Sequence, residues 1–132
     1  RPDAVKPNVD ELGEWAGQTL KTMADLRAAG EALLAQGVQW AAISMGGDGA
    51  VFLNGAEALR AIPPQVPVCS TVGAGDALVG GMLYAMHQGY SLADIARYGT
   101  ACGAYAVMRT SKGIEDIAAL DGLLRQVALE RL

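Results

Sequence analysis

The segment Val68-Cys69-Ser70-Thr71-Val72-Gly73-Ala74-Gly75-Asp76-Ala77-Leu78-Val79-Gly80-Gly81 limits what this chain can become more than any other. Pro63, Pro64 and Pro67 precede it, and apolar residues run on from it to His87. The pattern predicts an extended approach, a tight turn and then a helix from Ala74 to about His87. Gly73 and Gly75 flank Ala74, so the backbone amides there are open to a ligand. A helix starting at this turn aims its unsatisfied N–H groups and the positive end of its dipole at the same place. The expected result is an anion site made of backbone, with one carboxylate, Asp76, at its edge. That pairing suits transfer of a phosphoryl group to a hydroxyl.

Strands and helices alternate around this segment. Residues 4–8 read as a strand end followed by a turn at Lys6-Pro7-Asn8, because Pro7 cannot continue a central strand. Asn8 with Glu11 three residues on resembles a capping box for a helix over 9–16, with Val9, Leu12, Trp15 and Ala16 on one face and Gly17 ending it. A second helix spans about 22–36, carries Met23, Leu26, Ala29, Ala32, Leu33 and Leu34, and stops at Gly37. Residues 38–45 read as a buried strand ending in the turn Gly46-Gly47-Asp48-Gly49. Residues 50–53 and 59–62 form a hairpin signalled by Asn54-Gly55.

The helix after the glycine turn is apolar nearly all round, which predicts a central position, and Gly80-Gly81 within it predicts close packing against a neighbour. Ser91 to Asp94 opens a helix rich in small residues. A loop over Thr110–Gly113 precedes a last amphipathic helix over about 116–130. Together these predict a layered α/β architecture with a largely parallel sheet and an antiparallel hairpin at its edge.

Composition excludes several classes. Apolar residues make up 52% and charged residues 18%, the balance of a folded domain rather than a disordered chain. The net charge is −4, without any Lys/Arg cluster, so no nucleic-acid partner is expected. No apolar run reaches the ~18 residues of a membrane span, so no membrane partner is expected. Cys69 and Cys102 form no CxxC pair and no secretory segment accompanies them, which predicts a reduced, cytoplasmic protein. No GxxxxGK[ST], complete GxGxxG, zinc-ligand cluster or GxSxG elbow is present.

Each candidate residue carries two readings. Asp76 is either a helix N-terminal acid favoured by the dipole or a general base beside the amides of Gly73, Ala74 and Gly75. Asn8 and Glu11 either cap a helix, or face the phosphate site and order the waters of a Mg²⁺ ion, or do both. Gly46, Gly47 and Gly49 form either a plain turn or the edge of a phosphate or nucleotide site. His87 reads as a residue compatible with the helix dipole. Arg109 and Lys112 read as exposed cations, or as contacts to nucleotide phosphates.

Three motifs in order resemble the ribokinase-like (PfkB) carbohydrate kinases: Lys6-Pro7-Asn8-Val9-Asp10-Glu11, Ser44-Met45-Gly46-Gly47-Asp48-Gly49-Ala50, and Thr71-Val72-Gly73-Ala74-Gly75-Asp76. The resemblance is nearest to the sugar-phosphate branch and covers almost the whole chain. It implies a ribokinase-like three-layer αβα sandwich, of which these residues are the C-terminal, ATP-binding part. Asp76 would be the catalytic base, and Gly73, Ala74 and Gly75 the anion hole. Asn8 and Glu11 would organise Mg²⁺ and phosphate. Ser44, Gly46 and Gly49 would line the ATP site, with Gly103 beside the adenine. Ser70 and Val72 match positions that hold a monovalent cation, K⁺, in some members.

The acceptor implied is fructose 1-phosphate, ahead of tagatose 6-phosphate, fructose 6-phosphate or another sugar or nucleoside. A nucleotide-binding module without catalysis is the alternative of another class. The resemblance also implies a glycine-rich sugar-binding motif and a β lid outside these 132 residues, with pairing of two copies through that lid. The 132 residues alone are expected to be inert.

Overall fold

The computed structural model describes residues 4–70, 72–108 and 117–132. Thr71, Arg109, the Thr110–Gly113 loop and its Lys112 lie outside the described residues. The chain divides into two compact units, Arg1–Arg60 with Glu130–Leu132, and Ala61–Leu129.

The first unit begins with β1 (Ala4–Val5), α1 (Val9–Ala16), α2 (Met23–Ala35) and β2 (Trp40–Ser44). A 3₁₀ turn over Gly46–Asp48 leads to β3 (Ala50–Leu53), and β4 (Ala58–Ile62) crosses the boundary between the units. Among the described residues five strands make one sheet in the order β1-β2-β3-β4-β5, the last being Ala128–Arg131. β1 runs parallel to β2, with Val5 opposite Ala41. β2 runs antiparallel to β3, with Ile43 opposite Val51 and Ser44 opposite Ala50. The sheet is therefore mixed, where a largely parallel one was expected. The hairpin of β3 and β4 is not an edge either, because β5 lies outside it.

β5 itself overlaps the end of the expected last helix. α5 spans only Ile117–Gln126, and the chain then extends, with the Leu132 amide donating to the Ala58 carbonyl at 3.0 Å. The unpaired flank of β4 offers backbone partners that a longer helix would leave unused. The helical spacing of Ile117, Leu120, Leu123, Leu124 and Val127 hides this switch.

The core of the first unit joins Leu12, Leu26 and Ala29 from the helices to Ala41, Ile43, Val51, Leu53 and Ala58 from the strands. Local chemistry fixes both helices. Asn8 caps α1, and Gly17 closes it in the left-handed conformation. Thr22 caps α2 with a reciprocal bond from Asp25. The Lys21 and Thr22 backbone amides on the Asp25 carboxylate hold it below the usual carboxylate range. Two apolar residues of these helices stay outside this core. Trp15 is half exposed because α1 turns Leu12 and Gly13 inward, and Ala32 is exposed while Gly30 takes the inward position against Leu53 and Ile43.

The second unit contains α3 (Ala74–His87), α4 (Leu92–Met108) and α5. α3 packs against α4 through Gly81: a Cβ added there would sit 2.5 Å from the Tyr98 carbonyl oxygen. The close packing expected of Gly80-Gly81 belongs to Gly81 alone, since a Cβ at Gly80 meets nothing within 4 Å. α3 is also less central than its composition suggests. It buries Leu78, Gly81, Met82 and Ala85, while Leu83 and Tyr84 on its other side are half exposed. Tyr84, Tyr90 and Tyr98 cluster with ring centroids 5.4–6.4 Å apart, Tyr84 edge-on to Tyr90 and the other two pairs tilted. Burial and the neighbouring tyrosines raise the Tyr98 hydroxyl above its ordinary range.

Candidate functional site

The expected site residues fall into two groups, one in each unit. In the first unit the parallel pairing of β1 and β2 sets their C-terminal ends side by side. Asn8 and Ser44 form an isolated parallel bridge, and the Ser44 amide donates to the Pro7 carbonyl at 3.0 Å. The Lys6–Glu11 and Ser44–Gly49 motifs are thus neighbours at the end of the sheet where ligands of α/β proteins bind.

Asn8 and Glu11 form a complete capping box. The Asn8 amide donates to Glu11 Oε1 at 2.9 Å, and the Glu11 amide donates to Asn8 Oδ1 at 2.8 Å. Among the described residues nothing bonds to Glu11 Oε2, and both residues are exposed. No cluster of three or more His, Cys, Asp or Glu side chains that could cage a metal exists among the described residues. One free carboxylate oxygen beside an amide fits a Mg²⁺ ion that keeps most of its waters, and does not fit a fully protein-coordinated one.

The turn after β2 is held by its own backbone. The Met45 amide donates to the Gly49 carbonyl at 2.8 Å, and the Gly49 amide donates to the Gly46 carbonyl at 3.1 Å. Gly46 has a φ of 61°, which side-chain-bearing residues rarely adopt, and the spaces a Cβ would fill at Gly46 and Gly47 are open. The turn therefore presents bare backbone outward. Sequence reasoning missed Arg60, whose Nη2 donates to the Asp48 carbonyl at 3.3 Å, because the two residues are twelve apart with no motif joining them.

In the second unit α3 begins at Gly73, whose φ of 85° makes the sharp entry that the glycine turn predicts. Gly73 supplies no side-chain cap. The first intrahelical bond is the Ala77 amide to the Gly73 carbonyl. The amides of Ala74, Gly75 and Asp76 thus precede the hydrogen-bonded ladder and face outward for an acceptor. Asp76 stands in this first turn, and among the described residues its carboxylate has no hydrogen bond or ion pair. It is exposed.

The approach to this turn is pinned to the end of α4. The Val107 carbonyl accepts the amides of Cys69, at 2.6 Å, and Ser70, at 3.2 Å. A carbonyl in the last turn of a helix has no intrahelical partner, so it is free for this clasp. The Ser70 hydroxyl in turn accepts the Val72 amide at 3.1 Å, which brings together the two residues expected near a monovalent cation. Gly103 lies under the start of α3, where a Cβ would stand 3.6 Å from the Ala74 carbonyl oxygen. No sequence signal announces the Val107 clasp, since only backbone atoms take part.

Each unit thus offers one feature: bare glycine backbone after β2 in the first, and in the second a helix N-terminus without a side-chain cap, with an unpaired acid in its first turn. Comparison with known proteins gives the class. The pfkB family of carbohydrate kinases matches residues 1–117, and the chain belongs to that family. It is 46% identical over 132 residues to the 1-phosphofructokinase of Rhodobacter capsulatus, covering 100% of this chain and 42% of the relative. A structure assigned as a phosphofructokinase from Staphylococcus aureus superposes with a TM-score of 0.91 at 31% identity, over 100% of this chain and 42% of that one.

Phosphofructokinase-2 from Escherichia coli, solved in complex with substrates and products, gives a TM-score of 0.87 at 28% identity, over 94% of this chain and 40% of its own. The same Escherichia coli protein has also been solved in complex with potassium. The chain thus spans about two fifths of the length of the relatives it matches and shares their mixed α/β fold. No helix among the described residues is long and apolar enough to cross a membrane.

Proposed function

We propose that this chain is the C-terminal, nucleotide-binding part of a sugar-phosphate kinase. The complete enzyme would move the γ-phosphoryl group of ATP to a hydroxyl of fructose 1-phosphate, giving fructose 1,6-bisphosphate and ADP. The observation that carries the reading is the start of α3: Gly73 leaves the helix uncapped, and Asp76 stands unpaired within the same turn. The relative named 1-phosphofructokinase supports the choice of acceptor.

On this reading Asp76 takes the proton of the acceptor hydroxyl as its oxygen bonds to the γ-phosphorus and the bond to ADP breaks. The amides of Gly73, Ala74 and Gly75 hold the phosphoryl oxygens as negative charge spreads over them. Ser44, Gly46 and Gly49 line the nucleotide, and Gly103 supports the adenine side. Asn8 and Glu11 would order the waters of a Mg²⁺ ion, which when bound offsets phosphate charge. Ser70 and Val72 would border K⁺, by analogy with the potassium complex of the Escherichia coli relative. Acceptor choice, the lid and dimer pairing through it belong to the rest of the enzyme. The two free thiols fit a cytoplasmic setting.

The test is an acceptor panel on the complete enzyme with ATP: fructose 1-phosphate, fructose 6-phosphate, tagatose 6-phosphate and ribose. The highest kcat/KM is expected with fructose 1-phosphate. A higher value for another sugar reassigns the acceptor within the family. Adenine nucleotide binding without turnover of any acceptor overturns the reading in favour of a non-catalytic module.

A further inference from the structure

Arg60 is the cation whose surroundings ask for an explanation. It follows Ala58 by two residues in β4, so the two side chains share one face of the sheet, and Ala58 belongs to the core beneath α1 and α2. An arginine on such a face ordinarily keeps its guanidinium in water. Here the Nε–H is buried and has no hydrogen-bond partner, and among the described residues Arg60 makes no ion pair. Its Nη2 reaches the backbone carbonyl of Asp48, the last residue of the 3₁₀ turn between β2 and β3.

The turn's bonds close on themselves between Met45 and Gly49, and nothing lies within 4 Å of the Cβ positions of Gly46 and Gly47. The Ser44–Ala50 pairing of β2 with β3 closes the base of the turn, and Arg60 adds a side-chain bond from β4 to its last residue. It also brings a fixed positive charge to that point in a chain of net charge −4.

We propose that Arg60 is a positioning residue for the nucleotide: it holds the Gly46–Gly49 turn in the shape that receives a nucleoside triphosphate, and its charge favours the polyanion there. The proposal rests on the reading of this turn as nucleotide-facing. Arg60 does not touch the reacting atoms, so its loss acts on nucleotide affinity and spares the chemical step.

The test compares Arg60→Met and Arg60→Lys with the parent in the complete enzyme, by ATP and acceptor kinetics and by titration with ADP. Arg60→Met removes a charged donor and is expected to raise the ATP KM and the ADP Kd about tenfold, the size of one charge-assisted hydrogen bond. The kcat and the acceptor KM stay within about twofold. Arg60→Lys retains a cation and one donor and recovers most of the loss. An Arg60→Met enzyme with unchanged ATP KM overturns the proposal, as does an equal rise in both KM values.

Should Arg60→Met fail to fold, Arg60→Lys carries the test. It loses the planar fork, so a rise of about threefold confined to ATP is expected, and no rise overturns the proposal. If the parent enzyme binds no adenine nucleotide at all, the reading of the turn fails first, and that result is visible before any Arg60 variant is measured.

Discussion

Asn8 and Glu11 hold each other by two reciprocal backbone-to-side-chain bonds of 2.9 and 2.8 Å, and only one Glu11 carboxylate oxygen is used in doing so. Helix capping and service to a cation are therefore compatible in one pair of residues. The sequence allowed either role or both, and the geometry shows that the cap leaves Oε2 over.

The conservative variant Glu11→Gln separates the two roles. Glutamine still offers an oxygen to the Asn8 amide, so the capping box survives and stability changes by less than about 0.5 kcal/mol. The charge is lost, so the Mg²⁺ concentration for half-maximal activity of the complete enzyme rises severalfold. Asn8→Ala, by contrast, removes the cap and costs about 1 kcal/mol in denaturant unfolding. Equal Mg²⁺ dependence in Glu11→Gln and parent would leave Glu11 with the cap alone.

Asp76→Asn preserves the size of the side chain and the backbone amides around it. It removes the group that would accept the hydroxyl proton. In the complete enzyme kcat should fall by roughly 10²–10⁴-fold, with ATP affinity little changed or tighter, because a carboxylate repels phosphate. Steady-state kinetics with nucleotide titration checks this, and a kcat within a factor of three of the parent removes Asp76 from the base role.

Adjacent glycines on α3 should respond with opposite signs. A Cβ at Gly81 would lie 2.5 Å from the Tyr98 carbonyl oxygen, 2.8 Å from its carbon and 2.9 Å from the Cys102 sulfur. Two of those atoms are helix backbone and cannot step aside, so Gly81→Ala should cost about 2–3 kcal/mol. Gly80→Ala meets open space in a helix interior and should gain about 0.5–1 kcal/mol. Urea unfolding of the two variants decides, and equal effects would contradict the α3–α4 packing.

This pair also shows how far the sequence could be read. Periodicity and capping residues placed α1 and α3 at their observed ends, because Asn8, Gly17 and Gly73 act through bonds to residues a few positions away. Neither glycine of Gly80-Gly81 carries a mark showing which one meets the neighbouring helix, since that depends on the rotation of α3 against α4. β5 was illegible for the same kind of reason: its strand pairing is decided by the flank of β4, distant in sequence, and its residues fit a helix equally well. At the site, the Asn8–Glu11 pair and the Gly73 turn were readable from local chemistry. The Val107 clasp and the Arg60 contact join residues 12 or more positions apart, partly through backbone atoms that no side chain announces.

The two cysteines should differ sharply towards alkylating agents. Cys69 is exposed in the approach to α3, and Cys102 is buried in α4 beside Gly81. Burial pushes the Cys102 thiol above its ordinary range, because the low-dielectric surroundings disfavour the thiolate. Only the thiolate reacts, so iodoacetamide at about pH 8 should label Cys69 and leave Cys102 until denaturant opens the fold. The same shift sets a pH dependence. The folded state holds the Cys102 proton more tightly than the unfolded state, so its contribution is complete below the unfolded thiol pKa of about 8.5 and falls as pH rises from there through the raised folded value. Cys102→Ala should flatten that alkaline decline relative to the parent. Mass spectrometry of labelled peptides and unfolding curves between about pH 7 and 10 give the two readouts, and equal labelling of both thiols in the folded protein would contradict the burial of Cys102.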